Sequence, residues 1–514
     1  MTKILETVHT LVWGAPVLIL ILSVGIYLTV RTGFAQIVLF PRAFSEFFRK
    51  LRPGKAAEGT VTSFQATCTA LAATVGTGNL VGVAGAISIG GPGAIFWMWI
   101  CGLLGMVTKY AEATLALRYR VRKEKDFVGG PMYMITQGMG KSWTWLAWLY
   151  SFFGIIAAFG VGNATQINAV VSGINGMLSR FGVTSSRLGD LLMGLGLAIL
   201  VGAMLLGGAR RIGTVAERLV PFASLGYLTL CLAVLFCRAD QIPNAFTAIC
   251  RGAVSPKAVT GGMLGSAFQA LRVGCSRGVF TNEAGMGTAS IAHASAQVEH
   301  PVQQGLMGIM EVFLDTIVIC TMTALVILCS GVPIPYGTDA GGELTVSAFT
   351  SVCGQWTSVF LAAALCCFAF ATVLGWGLYG ARCAEFLFGS NALKYFALLQ
   401  TIVVVIGAVL KTETVWLLAE TVNGLMAVPN LIALAALSPE LRRLTKEYKR
   451  YFGGQAANGG NYADFHQRKP LRALAYAEIP PSGCGSQEGR KKDLSPEHRP
   501  ARSAYTQGIL RGHS

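Results

Sequence analysis

The sequence predicts an all-α membrane protein of eleven transmembrane helices, and three observations carry that expectation. Only 13% of the 514 residues are charged while 53% are hydrophobic, with a mean hydropathy of +0.55; soluble domains carry about a quarter charged residues. Long apolar runs recur at 11–30, 94–107, 144–161, 189–207, 219–237, 306–330, 358–378, 395–410 and 414–437, several near the roughly 20 residues that cross a hydrocarbon core. Lys and Arg gather after alternate runs, the loop bias that orients membrane helices. A soluble bundle is excluded, because so many uncharged runs would leave nothing to cover them.

The first run follows Met1-Thr2-Lys3. It is too long for a signal-peptide core, and Arg31-Thr32-Gly33-Phe34 is no small-residue cleavage site, so a retained helix is expected. Arg31, Arg42, Arg49, Lys50, Arg52 and Lys55 follow it; Arg118, Arg120, Arg122, Lys123 and Lys125 follow the third helix. Arg210, Arg211 and Arg218 follow the fifth, and Arg442, Arg443, Lys446, Lys449 and Arg450 follow the last, whereas loops 177–188 and 331–350 are poor in both. Placing the rich loops in the cytoplasm puts the N-terminus outside and the C-terminus inside, in the cell inner (plasma) membrane. From about 455 the chain turns rich in Gly, Pro, Ser and charge, and a disordered tail is expected there. The expected segments are 1–60, an N-terminal helix with its basic loop; 61–237 and 261–437, two inverted-repeat halves; and 438–514, a basic, disordered cytoplasmic tail.

The formal charge of +16 is spread between apolar runs, which argues against nucleic acid. The thirteen Cys sit mostly inside those runs without metal spacing, so they are read as small packing residues. No obligate protein partner is evident; the expected surroundings are a lipid bilayer.

Two apolar segments are interrupted in corresponding places. LAATVGTGNLVGVAGA (71–86) carries Gly76-Thr77-Gly78-Asn79 at its centre, and in 263–292 Gly274, Gly278, Gly285 and Gly287 flank Thr281-Asn282-Glu283. If each opens a five-helix half, the odd number of spans makes the halves an inverted repeat, and such paired breaks mark transporter binding sites. Unpaired N–H and C=O groups cost several kcal/mol each in lipid, so a broken helix survives only where it lines a protein cavity. There the second half-helix offers N–H groups to a carboxylate and the first offers carbonyls to a cation.

GTGNLVG approximates a dinucleotide fingerprint, but that reading needs a preceding strand and a soluble βαβ unit. A membrane enzyme lacks support: no HExxH occurs, the GxSxG match at 274–278 sits inside an apolar run and not at a strand-to-helix turn, and His293 and His300 are the only histidines between the first and last spans. Paired breaks also fit an occluded site better than an open channel.

TVGTGN at 74–79, GGPGAIFWMW at 90–99, TKYAEA at 108–113, GVFTNEAGMG at 278–287, IAHA at 291–294 and NGLMAVPNLIAL at 423–434 resemble the sodium:alanine symporter family, the alanine or glycine:cation symporters. The resemblance runs from about 10 to 450. It implies a LeuT-type fold of inverted five-helix repeats with one extra N-terminal helix, and no enzymatic activity. It further implies import of alanine, glycine or a similar small amino acid by alternating access, with Na+ as the coupling ion. By this resemblance the backbone at Gly76, Thr77, Gly78 and Asn79 receives the substrate carboxylate, and Thr281 and Asn282 serve the amine or the cation. Gln166 either faces the site or makes an interhelical hydrogen bond, and Trp376 is either a size-limiting wall or plain packing. Glu283 either serves the site, braces the unwound backbone or pairs with Arg272 or Arg277. Carbonyls near Ala73 and Gly76 with the Thr372 hydroxyl form the implied Na+ site. Three positions depart from the family pattern: Ala371 where a second hydroxyl is common, Ala381 where Glu is usual, and Gly102. The first leaves H+ coupling, or exchange on the same fold, as alternatives. Glu311 and Asp315, one turn apart, are expected to face the bundle.

Overall fold

Runs this apolar must satisfy their backbone internally, and the computed structural model is helical apart from two short strand pairs among the described residues. Those residues are 7, 15–51, 60–123, 126–180, 182–255, 267–410 and 413–458. They all lie in one unit, Met1–Tyr476; a second, Ala477–Ser514, lies outside them, as does most of the tail expected from 455.

Among the described residues seven helices are long and apolar enough to cross a membrane: Gly93–Arg118, Lys141–Ser179, Arg187–Leu205, Gly208–Cys237, Pro301–Cys329, Trp356–Phe388 and Ala392–Val409. Two bent pairs raise the number to nine among the described residues, and Pro16–Thr32 is a shorter apolar helix. One bent pair is the first interrupted segment, where Ser63–Thr74 and Gly78–Gly90 meet at 51°. A reciprocal cap sets its start: Thr62 Oγ1 accepts from Gln65 N while Gln65 Oε1 accepts from Thr62 N.

Burial separates centre from rim. The most apolar stretch of Gly93–Arg118 is 67% buried and that of Pro301–Cys329 is 61%, against 17% for Arg187–Leu205 and 28% for Ala392–Val409. The last two pack on each other and expose Leu192, Ile199 and Leu398, a lipid-facing pair. At the centre, Gly93–Arg118 packs against Pro301–Val312 and Ala267–Asn282.

Val61–Thr62, just ahead of the first interrupted segment, pairs in parallel with Ala296–Gln297, just after the second. The start of one broken helix therefore lies beside the end of the other.

Residues 438–458, expected to begin the tail, instead form a helix, Ser438–Asn458. Leu441, Leu444, Thr445 and Tyr448 recur at helical spacing and are buried, a stripe hidden in the sequence by the charges between them. Tyr110 and Thr445 share a hydrogen bond at 2.8 Å, and Arg118 donates to Glu440 at 2.7 Å.

Candidate functional site

At the first break, Thr74 ends one helix and Val75 turns extended (φ −75°, ψ 103°) before a π-helical turn, Gly78–Gly82, leads into Val83–Gly90. Thr77 and Gly78 stand at the start of that second half-helix, where the first N–H groups have no intrahelical acceptor. Gly76 sits under two polar side chains. A Cβ there would stand 2.9 Å from Thr372 Oγ1 and 3.7 Å from Gln166 Oε1.

Gln166 comes from the helix Thr165–Arg180, which follows another π-helical turn, Gly160–Ala164. Its Oε1 accepts from Thr77 Oγ1 at 3.3 Å, and its Nε2 donates to Val161 O at 3.1 Å. Thr372, from Trp356–Phe388, donates to Ala72 O at 2.9 Å. A carbonyl of the first half-helix and a hydroxyl of a neighbouring span thus meet beside Gly76, and a hydroxyl and carbonyls are oxygen donors suited to a small hard cation. Ala73 lies in the same contact, since a Cβ on Gly375 would stand 3.0 Å from its own Cβ. Ala371 is buried and adds no oxygen.

Trp376 is one turn beyond Thr372 and fully buried. Its ring packs so closely on Gly162 that a Cβ there would come within 2.3 Å of the Trp376 Cβ, and its Nε1 donates to Glu283 Oε1 at 2.9 Å. Thr281 faces the first break as well, 3.3 Å from where a Cβ on Gly78 would stand, while its hydroxyl donates to Arg277 O.

Two of the sequence-predicted residues turn their side chains elsewhere. Asn79 Oδ1 accepts the Gly76 N–H at 2.9 Å, and its Nδ2 donates to Asp315 Oδ1 at 2.7 Å. The Gly76 N–H is therefore already engaged. Asn282 Oδ1 accepts from Ala284 N, and its Nδ2 donates to Thr316 Oγ1, which itself donates to Asp315 Oδ2 at 2.9 Å. Asp315 lies in a π-helical stretch, Phe313–Cys320, and joins the two breaks through these amides.

The second break runs from Asn282 to Thr288. Glu283 holds a left-handed backbone (φ 52°), as do Gly285 (φ 96°) and Gly287 (φ 77°). Left-handed geometry in a non-glycine residue persists only where neighbours fix it, and here Trp376 and Thr288 Oγ1 (2.6 Å) hold both carboxylate oxygens. Glu283 is thus a brace. Arg277 instead pairs with Asp339 at 3.2 Å and Glu420 at 3.8 Å.

Around that break lies a buried ionic group the sequence reading left without roles. Lys109 Nζ is 3.0 Å from Glu311 Oε1, both fully buried, and Glu311 Oε2 is 2.9 Å from His293 Nε2. Gln304 Nε2 lies 2.8 Å from His293 Nδ1 and 3.2 Å from Thr67 Oγ1, tying the group to the first broken helix. Glu112 Oε1 accepts from Gly285 N (2.9 Å), Gly287 N (3.1 Å) and Asn430 Nδ2 (2.8 Å). Ionisable residues inside spans were the available signal; their partners were not readable.

The family model of the sodium:alanine symporter family matches residues 1–458. An uncharacterised transporter of Haemophilus influenzae is 43% identical over 87% of this chain and 96% of its own length. The sodium/alanine symporter AgcS of Methanococcus maripaludis is 41% identical over 89% and 99%, and the probable sodium/glutamine symporter GlnT of Bacillus subtilis 37% over 88% and 92%. Among solved structures, MhsT in complex with L-phenylalanine superposes with a TM-score of 0.54 at 12% identity, covering 76% of this chain and 99% of that one. That likeness shows a shared fold. A helical membrane transporter, not an enzyme, is the outcome, and the chain belongs to the sodium:alanine symporter family.

Proposed function

We propose that the protein imports alanine, glycine or a similar small amino acid with Na+, exposing one midplane site first outside and then inside. The observation that carries this reading is the meeting of Gly76, Thr77, Gln166 and Thr372 at the first break. The free N–H groups of Thr77 and Gly78 suit the substrate carboxylate, and Thr281 faces them from the second break. The bulk of Trp376 against Gly162 suits only a short side chain. Ala72, Ala73 and Gly76 carbonyls with Thr372 suit the ion; Asn79 and Asn282 hold the breaks open from behind.

Eleven spans follow if Ala15–Thr32, the two broken helices and the helix Glu413–Ala436 are counted with the seven long helices. The inverted-repeat reading, 61–237 against 261–437, is supported by the Val61–Ala296 strand pairing and by packing of Gly93–Arg118 on Pro301–Val312. The N-terminus lies outside and the C-terminus in the cytoplasm, in the inner (plasma) membrane. A second reading, H+ coupling, is favoured by the missing hydroxyl at Ala371.

Uptake of radiolabelled alanine and glycine into proteoliposomes, with imposed sodium or proton gradients, tests this. Accumulation above equilibrium under an inward sodium gradient is expected. Accumulation only under a proton gradient moves the ion assignment, and a requirement for amino acid inside the vesicle makes the protein an exchanger. Failure of both gradients sinks the symport reading.

A further inference from the structure

Around the two breaks the chain buries Glu112, Glu283, Glu311 and Asp315 against Lys109 and His293, each at most 3% exposed. The carboxylates outnumber the cations. An uncompensated buried charge is among the costliest arrangements a fold can hold, so this excess is met either by protons or by a positive partner. The donors around each carboxylate show where it fits. Trp376 and Thr288 cap the two oxygens of Glu283, Lys109 and His293 those of Glu311, and Asn79 and Thr316 those of Asp315.

Glu112 differs. Three donors converge on Oε1, and Oε2 has none within the described residues. Asn430, whose Nδ2 donates to Glu112 Oε1 and to Gly285 O at 2.9 Å, leaves its own Oδ1 equally without a partner. That oxygen would stand 2.7 Å from a Cβ at Gly287, so the second break needs glycine there for Asn430 to hold its position. The region is oxygen-rich. The Tyr150 and Tyr379 hydroxyls, which have Glu112 and Glu283 among their electrostatic neighbours, also lack partners among the described residues, as does the Asn423 amide two turns before Asn430 on the same helix face.

We propose that Glu112 Oε2 and Asn430 Oδ1 form a binding site for a monovalent cation, sodium, at the second break. It is separate from the Thr372–Ala72 position at the first. A carboxylate and an amide oxygen are hard donors of the kind sodium takes, and the ion supplies the charge that the buried carboxylates lack. The inference rests on the reading that the coupling ion is sodium. Ion binding here also ties the geometry of the second break, through Gly285 and Gly287, to the ion's presence.

Equilibrium binding of radioactive sodium to the purified full chain, with melting temperature followed against sodium, tests the site. In E112Q the amide keeps Oε1 for its three donors and replaces only the charged, unpartnered oxygen. The expected result is loss of one class of sodium sites and an increase of about tenfold in half-saturating sodium for uptake, with melting in sodium-free buffer no lower than wild type. Asn430→Ala, which keeps the carboxylate and both backbone donors, gives an independent reading if E112Q does not fold: weaker sodium binding supports the site. E112Q or, in that case, Asn430→Ala binding sodium as wild type does overturns the site alone. A wild-type chain that binds no sodium overturns the sodium reading, and this site with it.

Discussion

The two breaks solve one problem with different chemistry. The first is lined by neutral groups: glycine backbone, the Thr77 and Thr372 hydroxyls and the Gln166 amide. The second holds a glutamate in a left-handed backbone, braced by Trp376 and Thr288 and surrounded by Glu112, Lys109, Glu311 and His293. Neutral hydroxyls and amides can exchange partners with a passing solute at low cost, because each is a weak, reversible donor or acceptor. Buried ion pairs cannot, since removing one partner strands a charge. On the proposed function, the difference places amino-acid handling at the first break and shape-keeping, together with the proposed sodium site, at the second.

Substitutions can break or sharpen this division. The largest expected effect is on stability at the second break. Glu311→Ala leaves Lys109 buried without its partner 3.0 Å away and is expected to destabilise by about 3–5 kcal/mol, seen as a steep fall in melting temperature in detergent. A melting temperature near wild type would mean that the ionic group is not what holds the second break.

Next comes Gly76→Ala at the first break, where the new Cβ would stand 2.9 Å from Thr372 Oγ1. An overpacking cost of about 1–3 kcal/mol, falling on the bound state, corresponds to roughly five- to 150-fold weaker alanine binding. Thr372→Ala removes the hydroxyl that donates to Ala72 O; half-saturating sodium is expected to rise about tenfold with little change in the preference for alanine. Ala371→Ser, restoring a hydroxyl beside it, is expected to shift sodium dependence the other way. Uptake against sodium concentration reads both.

The smallest effect lies far from either break. Hydrogen bonds from Arg443 first and Arg118 next, opposed by burial, hold the Glu440 carboxyl down to about 2 from its ordinary 4.5. A lowered carboxyl pKa means stability present above the unfolded value and lost as pH falls from 4.5 toward 2. Melting between pH 6 and pH 3, in wild type and in Arg118→Gln with Arg443→Gln, checks it; the double variant is expected to lose less on acidification.

How far the sequence reached depended on the range of each interaction. Gly76-Thr77-Gly78 stood out because glycine and a β-branched residue interrupt an otherwise unbroken apolar run. Gln166 was placed by the resemblance, with an interhelical hydrogen bond as the alternative. What escaped was pairing at a distance. Glu112 finds Asn430 across 318 positions, Lys109 finds Glu311 across 202, and Asn79 turns to Asp315 across 236. No local period encodes such partners. For Glu283 a bracing role was among the readings open in sequence, but its partners Trp376 and Thr288, and not Arg277, became visible only with the left-handed turn of the backbone. The helix Ser438–Asn458 was missed because dense charge masked a single buried stripe.

The most direct test of the division between the breaks is the alanine dissociation constant of the folded fraction at saturating sodium, measured for Gly76→Ala and Glu311→Ala side by side. The account predicts binding weakened about tenfold or more in the first and close to wild type in the folded fraction of the second. Unchanged affinity in Gly76→Ala, with the loss falling on Glu311→Ala instead, would contradict it.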